Sequence, residues 1–530
     1  LRPRDHRCLL SSAAGTTNSQ SKVRNQLKDI DTHLELYSCL ETILPLISSL
    51  QGYRPPHSHS RKVETIQQVA WRAGELESLL ESVTLLNDTL SKLTDQLESE
   101  GMRHLYSHVK QVEKSEAFQH LKVELPKILP KLRAHASVTI GVNLDQQLRP
   151  IEATLLSVNE HKFRSSTMLD RLWGSRTDES PGVGPLHRLV DEVVNFPSGS
   201  EFDRRGGRNP MLVPLFRDLA EVLQKVSAPI SKALQAYVDL NGHFLVRIRE
   251  DINFYLAGVR LARRLREEGL PICQPEICPP DERVFEMNGS YNLNLARHFM
   301  LIKDGKNVLP RIVQNDVKLN KNGAIQILTG PNQGGKTTYT QMVGINQVLA
   351  QAGLYVPGTA ARISPVDNIY THYPLEEELE LSTGRFGDEA QRISDIFSQA
   401  TKHSLLLFNE SLSSTSPKES IHLAQNIVRI LRQMGTRAVF NTHLHELAAS
   451  VDELNESVDG ESYIISMIAS AQESESENGK VQRSYKIIPG APLGHSHASE
   501  IAERYGISYE QLAAKLKERG VLNSKDKGNE

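Results

Sequence analysis

The segment Gly330-Pro331-Asn332-Gln333-Gly334-Gly335-Lys336-Thr337-Thr338 contains the spacing G-x-x-x-x-G-K-[ST]. An apolar run at residues 325–328 precedes it and an apolar-periodic stretch follows it, so the glycines lie between a predicted strand and a predicted helix. A phosphate-binding loop requires this setting: glycines let backbone N–H groups face the phosphates, a lysine contacts the terminal phosphates, and a hydroxyl ligates Mg²⁺. The spacing favours a nucleotide site, held by Lys336 and Thr337, over a glycine turn with a solvated lysine.

Two later apolar runs end in polar residues. Residues 405–408 lead to Asn409 and Glu410, and residues 438–442 lead to His443. Such continuous runs are typical of buried parallel strands, whose carboxyl ends lie at the ligand-binding edge of an open α/β sheet. Glu410 is therefore a candidate general base and His443 a candidate sensor of the terminal phosphate. Nucleotide hydrolases carry an acid for the metal where this chain has Asn409, and the uncharged amide predicts weaker Mg²⁺ binding or slower turnover.

A helix start follows the first of these strands. Ser416-Pro417-Lys418-Glu419 has the pattern of a capping box, with a hydroxyl at the N-cap, proline at the first helical position and a carboxylate three residues after the cap. The partial positive charge of this helix end suits a terminal phosphate of the same subunit or of a partner. Most capping boxes simply begin a helix, and that reading stays open.

Size and composition bound the class of protein. A chain of 530 residues exceeds one typical core, so two to four domains are expected. Hydrophobic residues at 39% and charged residues at 24% are ordinary for soluble proteins, and no secretory or membrane-spanning segment is recognisable. The formal charge of −3 means that any nucleic-acid binding must use local basic patches. Four scattered cysteines indicate a reducing compartment, and we expect loop cysteines at Cys273 and Cys278, not a zinc site.

Periodicity predicts the organisation ahead of the glycine-rich segment. Apolar residues at three-and-four spacing predict helices from Val23 to Leu132, with breaks at residues 52–56, and from Leu212 to Glu268. Within the first stretch, one periodic set is Leu34, Cys39, Leu40, Ile43, Leu44 and Ile47, and a leucine stripe runs over residues 76–93. Arg263, Arg264 and Arg266 near the end of the second stretch are candidate phosphate contacts. Short β-branched runs at residues 137–158, with Pro150 in their link, predict a small β insertion. Residues 175–210 are rich in loop signals, and a proline cluster ending near Pro280 predicts the domain boundary.

These motifs, in this order, resemble the ATPase domain of the MutS family of DNA mismatch-repair proteins. The resemblance covers roughly residues 296–508. Its further motifs are Tyr355-Val356-Pro357-Gly358, the stretch Ile363 to Thr371, Phe386 and Glu389 as an F-x-x-E motif, Asn409-Glu410, Thr415-Ser416 and Thr442-His443-Leu444-His445-Glu446-Leu447.

The resemblance implies an ATP- and Mg²⁺-dependent ATPase that dimerises head to tail. Ser416 would complete the partner's site, residues 312–316 with Ile312 and Val313 would lie against the adenine, and the helical half would correspond to the core and lever domains. The chain departs from the family at Asn409 and at residues 412–414, which replace a glycine-rich signature. No counterpart of the mismatch-reading domain precedes Val23, so direct mispair recognition is not expected.

The sequence thus predicts an α + α/β chain: a disordered start at 1–22, a helical core and lever domain at 23–280 with the β insertion as candidate clamp, a P-loop (ABC-type) α/β ATPase domain at 281–510, and a tail at 511–530. We expect a homodimeric, ATP-dependent DNA-binding protein, with mismatched or branched duplex as candidate partner and no membrane association. The expected location is the cytoplasm, with nucleoid association in a bacterium, and an organellar location stays open. The alternative is a dimeric nucleotide switch with little hydrolysis and no DNA role. Long uninterrupted heptads, which a chromosome-organising ATPase needs, are absent from the pattern.

Overall fold

The computed structural model describes residues 17–50, 66–133, 242–302, 307–331, 333–374, 385–470, 484–492 and 506–519, the strand segments 137–144, 150–159, 474–475 and 481–482, and positions 146, 230, 232–234, 237 and 521. Parts of the predicted organisation lie outside these residues: positions 1–16 of the predicted disordered start, the helix breaks at 52–56, the loop-rich region at 175–210 and positions 212–229 of the second predicted helical stretch. For positions 17–22 the prediction of disorder is wrong, because they form the start of a helix.

Helices account for most of the described chain. They are α1 (Thr17–Thr32), α2 (Leu34–Ser49), α3 (Ile66–Leu93), α4 (Glu100–Lys114), α5 (Glu116–Arg133), α6 (His243–Glu267), α7 (Leu293–Leu301), α8 (Lys336–Gln351), α9 (Arg385–Gln399), α10 (Pro417–Met434), α11 (His445–Ala449), α12 (Val451–Ser457) and α13 (Tyr509–Glu518). Within the described ranges, none of these helices has both the length and the apolar character that a membrane crossing needs.

Strands occur in five groups. They are β1 (Ser137–Leu144), β2 (Pro150–Asn159), β3 (Ile272–Cys273), β4 (Glu276–Ile277), β5 (Phe285–Ser290), β6 (Asn315–Leu319), β7 (Ile325–Thr329), β8 (Val356–Pro357), β9 (Ala360–Ile363), β10 (Ile369–His372), β11 (Leu405–Asn409), β12 (Arg437–Asn441), β13 (Ile464–Ala469), β14 (Ser474–Glu475), β15 (Val481–Gln482) and β16 (Ile487–Pro489). The chain is thus mixed helical and α/β, as the sequence predicts.

Contacts divide the chain into two units. One lies within Leu1–Leu34, Glu98–Met102 and Phe254–Glu530, and the other within Glu35–Leu97 and Arg103–Asn253. The chain passes between them at residues 253–254, ahead of the predicted domain boundary near Pro280. That boundary and the other predicted limits stay predictions.

The second unit is built on helix packing. The predicted leucine stripe of α3 is buried, including Leu76, Val83, Leu86 and Leu90. Residues of α3 and α5 share one core, where Leu76 and Leu121 are fully enclosed. One member of the predicted periodic set is wrong: Leu34, at the start of α2, is 65% exposed, and Leu36 is buried instead. Leu34 lies two residues before Leu36, about 200° further around the helix axis, so it faces away from the buried stripe.

The predicted β insertion is an antiparallel pair. Strand β1 pairs with β2 from Ser137 opposite Asn159 to Leu144 opposite Pro150, with two irregularities in register. Pro150 is therefore the first residue of β2, and the prediction that it lies in the link between the strands is wrong. Proline is tolerated at that position because its missing N–H falls at the end of the ladder.

The first unit contains a six-stranded sheet with the order β10-β11-β12-β7-β13-β16. All pairings are parallel except that of β13 with β16. The predicted parallel strands β7, β11 and β12 lie side by side and are buried along their whole length. Their carboxyl ends meet at one edge, since parallel strands all end on the same side.

Apolar side chains cover both faces of this sheet. On one face, Leu328, Leu407 and Val439 pack against α8 and against the second sheet, which has the order β4-β9-β5-β6. On the other face, Ile327, Phe408 and Phe440 pack against α10, α11 and α12. Such a helix-sheet-helix arrangement fixes the strand ends between two cores.

A buried arginine joins the start of β12 to two loops. The Arg437 side chain is fully buried, and its Nη atoms donate to the carbonyl oxygens of Val284 at 2.9 Å, Ser364 at 3.1 Å and Pro365 at 3.3 Å. Burial lowers the pKa of Arg437 to about 10, with the positive charge of Arg283 as a lesser cause. The guanidinium stays protonated at neutral pH.

We expect Arg437→Met to lower the free energy of unfolding by about 2 kcal/mol, because three buried carbonyl oxygens lose a charged donor while an apolar chain fills part of the space. Chemical denaturation followed by far-UV circular dichroism measures the change. The exposed Arg297→Ala is the control, expected within about 0.5 kcal/mol of wild type. Equal stability of Arg437→Met and wild type would show that the three contacts contribute nothing net.

Candidate functional site

The glycine-rich segment forms a tight loop between β7 and α8. Gly330 has φ +136° and Gly335 has φ +91°, which are left-handed conformations that side chains rarely adopt. A Cβ on Gly330 would lie 2.8 Å from the Cβ of Ala469. Glycine is therefore required at both positions for the loop to close onto the helix start. Asn332 lies outside the described residues.

Lys336 is the first residue of α8, and its side chain is almost completely buried. Its Nζ donates to the carbonyl oxygens of Gly330 at 2.8 Å and Pro331 at 3.1 Å. Burial lowers the pKa of Lys336, and the carboxylate of Glu410 acts in the opposite direction. The Lys336 ammonium is thus held by two neutral carbonyl oxygens of the loop. Hydrogen bonds from the ammonium to an anion would be stronger than these.

The amino end of α8 adds further donors. The first N–H groups of an α-helix have no partner within the helix and carry a partial positive charge. Thr337 and Thr338 lie in this first turn, and the carbonyl oxygen of Thr338 accepts a hydrogen bond from Asn292 Nδ2 at 2.9 Å. That contact fixes the helix end to the N-cap of α7.

A cavity of about 400 Å³ opens beside this loop. It is lined by predicted site residues together with residues that the sequence did not single out. The predicted ones are Ile312, Val313, Asn315, Gln333, Gly334, Gly335, Lys336, Thr337, Thr338 and Glu410; the others are Asn292, Leu295, Phe299, Arg311, Tyr339, Met342 and Tyr485. The structure therefore brings the predicted loop, base-contact and general-base residues to one cavity.

Apolar and aromatic side chains line the cavity together with the loop residues. The Arg311 guanidinium stacks 4.0 Å from the ring centre of Phe299. Tyr485, with φ +52°, lies against Gly335, and its carbonyl oxygen accepts from Asn315 Nδ2 at 3.2 Å. The lining thus combines the cationic Lys336 with apolar and aromatic groups.

Glu410 and His443 lie together at the strand ends. Glu410 follows β11 with φ +52°, and its N–H donates to the Asn441 carbonyl oxygen at 2.9 Å. A hydrogen bond of 3.0 Å joins His443 Nε2 to Glu410 Oε1. Both side chains are about two-fifths exposed, so the pair can meet water at the cavity mouth.

Asn409 lies deeper in the sheet and does not line the cavity. It is 5% exposed, and its Oδ1 accepts a hydrogen bond from Asn441 Nδ2 at 2.5 Å. The two residues are direct neighbours in the parallel register of β11 and β12. The amide of the predicted metal ligand is therefore engaged within the protein.

Ser416 is exposed and lies outside the cavity, at the N-cap of α10. The predicted capping box is only half formed: the Ser416 hydroxyl donates to Glu419 Oε2 at 2.8 Å instead of accepting a backbone N–H. The carboxylate of Glu419 accepts from the Ser416 backbone, and these hydrogen bonds, with that of Thr415, lower its pKa. The Ser416 hydroxyl thus donates its hydrogen bond to the carboxylate, a choice of partner that the sequence pattern cannot specify.

The segment between Glu410 and Ser416 is held at its middle. Both carboxylate oxygens of Glu389, on α9, accept hydrogen bonds from it, one from the Leu412 N–H and one from the Ser414 hydroxyl. A hydrogen bond of 2.6 Å joins Ser411 Oγ to His372 Nδ1 at the end of β10. The residues that replace the family's glycine-rich signature are thus anchored to α9 and β10.

Two of the predicted phosphate-contacting arginines are engaged elsewhere. Arg266 Nη1 lies 2.9 Å from Asp31 Oδ2, and Arg263 Nη2 donates to the Asp31 carbonyl oxygen at 3.2 Å. Arg266 also stacks 5.0 Å from the ring centre of Tyr355. These contacts join α1 to α6, and the candidate phosphate contacts of the arginines stay a prediction.

The donor set fits a nucleoside triphosphate better than it fits a protein-held metal. A buried ammonium, a helix amino end and a glycine cradle suit phosphates. For Mg²⁺ the cavity offers the Thr337 hydroxyl and the His443-bound Glu410, and the described part of the chain contains no group of three His, Cys, Asp or Glu side chains arranged to hold a metal.

Comparison with known proteins gives two family matches. Residues 326–514 match the model of MutS domain V, and residues 28–268 match the model of the MutS2 N-terminal domain. The two matches fall on different parts of the chain and together include every candidate site residue except Ile312 and Val313.

Curated relatives agree with these matches. The chain is 29% identical to DNA mismatch repair protein MutS of Shouchella clausii over 58% of this chain and 34% of that protein. It is 27% identical to the protein of the same name of Lactobacillus johnsonii, over 62% of this chain and 38% of that one. The chain is 25% identical to DNA mismatch repair protein HexA of Streptococcus pneumoniae, over 55% of this chain and 34% of that protein. The chain spans about a third of the length of these relatives.

Proposed function

Because the chain belongs to the MutS family, we propose that it is an ATP-dependent DNA-binding protein in which the cavity beside Lys336 binds ATP. The observation that carries this proposal is the buried Lys336 ammonium, held on loop carbonyl oxygens at the amino end of α8 and facing a cavity of about 400 Å³. A buried cation with neutral partners costs stability that a bound polyphosphate would recover.

The cavity would hold the nucleotide along its length. The phosphates would lie at Lys336 and at the N–H groups from Gly334 to Thr338, where the helix end attracts anions. The base would lie toward Ile312 and Val313, with Phe299 and Tyr485 as the aromatic groups within reach. In this arrangement residues 281–510 act as a P-loop α/β ATPase domain.

Hydrolysis would use the pair at the cavity mouth. When bound, ATP supplies the phosphoanhydride bond and Mg²⁺ neutralises phosphate charge. Glu410 Oε2 would accept a proton from water, while His443 Nε2 holds Oε1 and thereby orients the carboxylate. Thr337 is the proposed Mg²⁺ ligand from the cavity lining. Asn409, the other ligand that the sequence predicts, lies outside that lining, and its carbonyl oxygen accepts a hydrogen bond from Asn441.

We further propose a homodimer in which Ser416 serves the cavity of the second copy. Ser416 is exposed, lies outside its own cavity and begins an 18-residue helix, so a phosphate could approach it from outside. The helical residues 23–280 would act as core and lever, and the β1–β2 pair as a candidate clamp on DNA. Mismatched or branched duplex is the proposed form of that DNA.

A second function is favoured by one observation. The neutral Asn409–Asn441 pair stands where an acidic metal ligand would accelerate hydrolysis. The chain could therefore act as a nucleotide switch that changes state on ATP binding, with little turnover and without DNA.

DNA stimulation separates the two functions. We expect ATPase activity of the full chain to rise several-fold with mismatched or branched duplex, and DNA affinity to fall steeply with salt, because phosphate contacts release counterions. Turnover assays and fluorescence anisotropy at two salt concentrations measure both effects. Unchanged turnover together with salt-independent or absent DNA binding would remove the DNA role and leave the switch.

A further inference from the structure

The Asn409–Asn441 pair joins two buried amides across neighbouring strands. Asn441 is fully buried, and its Nδ2 donates to Asn409 Oδ1 at 2.5 Å. Among the described residues, Asn441 Oδ1 has no hydrogen-bond partner. Neither side chain lines the cavity, although both strands end beside it.

Register and packing hold this pair in place. Asn409 is paired directly with Asn441, and the preceding residues on the same sheet face, Leu407 and Val439, are packed in the core that includes α8. If the Asn409 carbonyl oxygen turned toward the cavity, the fully buried Asn441 amide would lose its acceptor. Since the carbonyl oxygen is the atom of an asparagine that binds Mg²⁺, the pair withholds that atom from a metal.

The charge around Lys336 leads to the same result. Glu410 is the carboxylate whose charge acts on the Lys336 ammonium, and its Oε1 is already bound to His443. The asparagine pair adds no negative charge where an aspartate would repel free ATP and attract its Mg²⁺ complex. The cavity therefore offers few groups that would bind the Mg²⁺ complex of ATP more tightly than free ATP.

We propose that Asn441 is a positioning residue that holds Asn409 away from the metal, so that the cavity binds a nucleoside triphosphate almost as tightly without Mg²⁺ as with it. This inference rests on the proposed ATP site. Mg²⁺ then contributes to turnover and not to capture of the nucleotide.

The test is the ratio of two dissociation constants, measured on the full chain with a fluorescent non-hydrolysable ATP analogue in EDTA and in Mg²⁺. We expect a ratio below about threefold for wild type and above about tenfold for Asn409→Asp, whose carboxylate would bind the cation. Asn441→Ala should give a ratio between these values, because it frees the Asn409 carbonyl oxygen. A ratio within one variant is unaffected by a loss of folded protein.

The outcomes are distinct. A wild-type ratio already above about tenfold would overturn the inference while leaving the ATP site intact. An Asn441→Ala ratio equal to that of wild type would show that Asn441 only fills space and would overturn its positioning role. Failure of the analogue to bind in either buffer would overturn the proposed ATP site itself.

Discussion

Lys336→Ala is expected to lower ATP affinity by at least about a hundredfold, enough to remove measurable binding. The ammonium is the buried cation of the cavity wall, and its loss removes a charge-assisted contact worth about 3 kcal/mol to a phosphate that the remaining N–H groups cannot replace. Isothermal titration calorimetry with a non-hydrolysable analogue measures the loss.

Lys321→Ala is the matched control, because Lys321 is an exposed lysine on the turn after β6, outside the cavity. It should bind the analogue as wild type does. Circular dichroism melting should show that Lys336→Ala remains folded, since only two loop carbonyl contacts are removed. A folded Lys336→Ala variant with wild-type affinity would place the nucleotide elsewhere, and the proposed function would lose its main support.

Glu410→Gln is expected to lower the ATP turnover rate by at least about a hundredfold with little change in ATP affinity. Glutamine keeps the shape of the side chain and can still contact His443, but it cannot accept a proton from water. Single-turnover kinetics give the rate, and calorimetry gives the affinity. Because ATP would persist, the variant should also accumulate an ATP-dependent dimer, visible in light scattering.

Glu453→Gln on α12 makes the same chemical change at an exposed position and should leave turnover unchanged. If Glu410→Gln hydrolyses ATP at the wild-type rate, Glu410 is not the general base, and another group must be sought among the cavity residues. If wild type itself shows no turnover with any DNA, the nucleotide switch becomes the better account.

The strands and the loop were predictable because local pattern determines them. Unbroken apolar runs are typical of buried parallel strands, so residues 405–408 and 438–440 are recognisable as strands in the sequence. The carboxyl ends of such strands lie at one edge of the sheet, which brings Glu410 and His443 together. The glycines of residues 330–335 serve conformations that few other residues adopt.

Part of the cavity lining was not predictable in this way. The lining includes Phe299, Arg311 and Tyr485, which come from three separate segments that only the fold brings together. The Asn409–Asn441 contact likewise depends on the register of two strands that are 32 residues apart in sequence. The ion pairs of the arginines at 263 and 266 could not be predicted from the sequence either, because their partner, Asp31, lies in the first helix.

The anchoring of residues 411–414 by Glu389 has a consequence for communication between sites. One short, doubly tied bridge has the proposed water-activating carboxylate at one end and, six residues on, the proposed partner-facing serine at the other. Because the midpoint is fixed to α9, a displacement of α9 would move the whole bridge. In the proposed homodimer, such a displacement would reach the carboxylate of one reaction centre and the serine that serves the other.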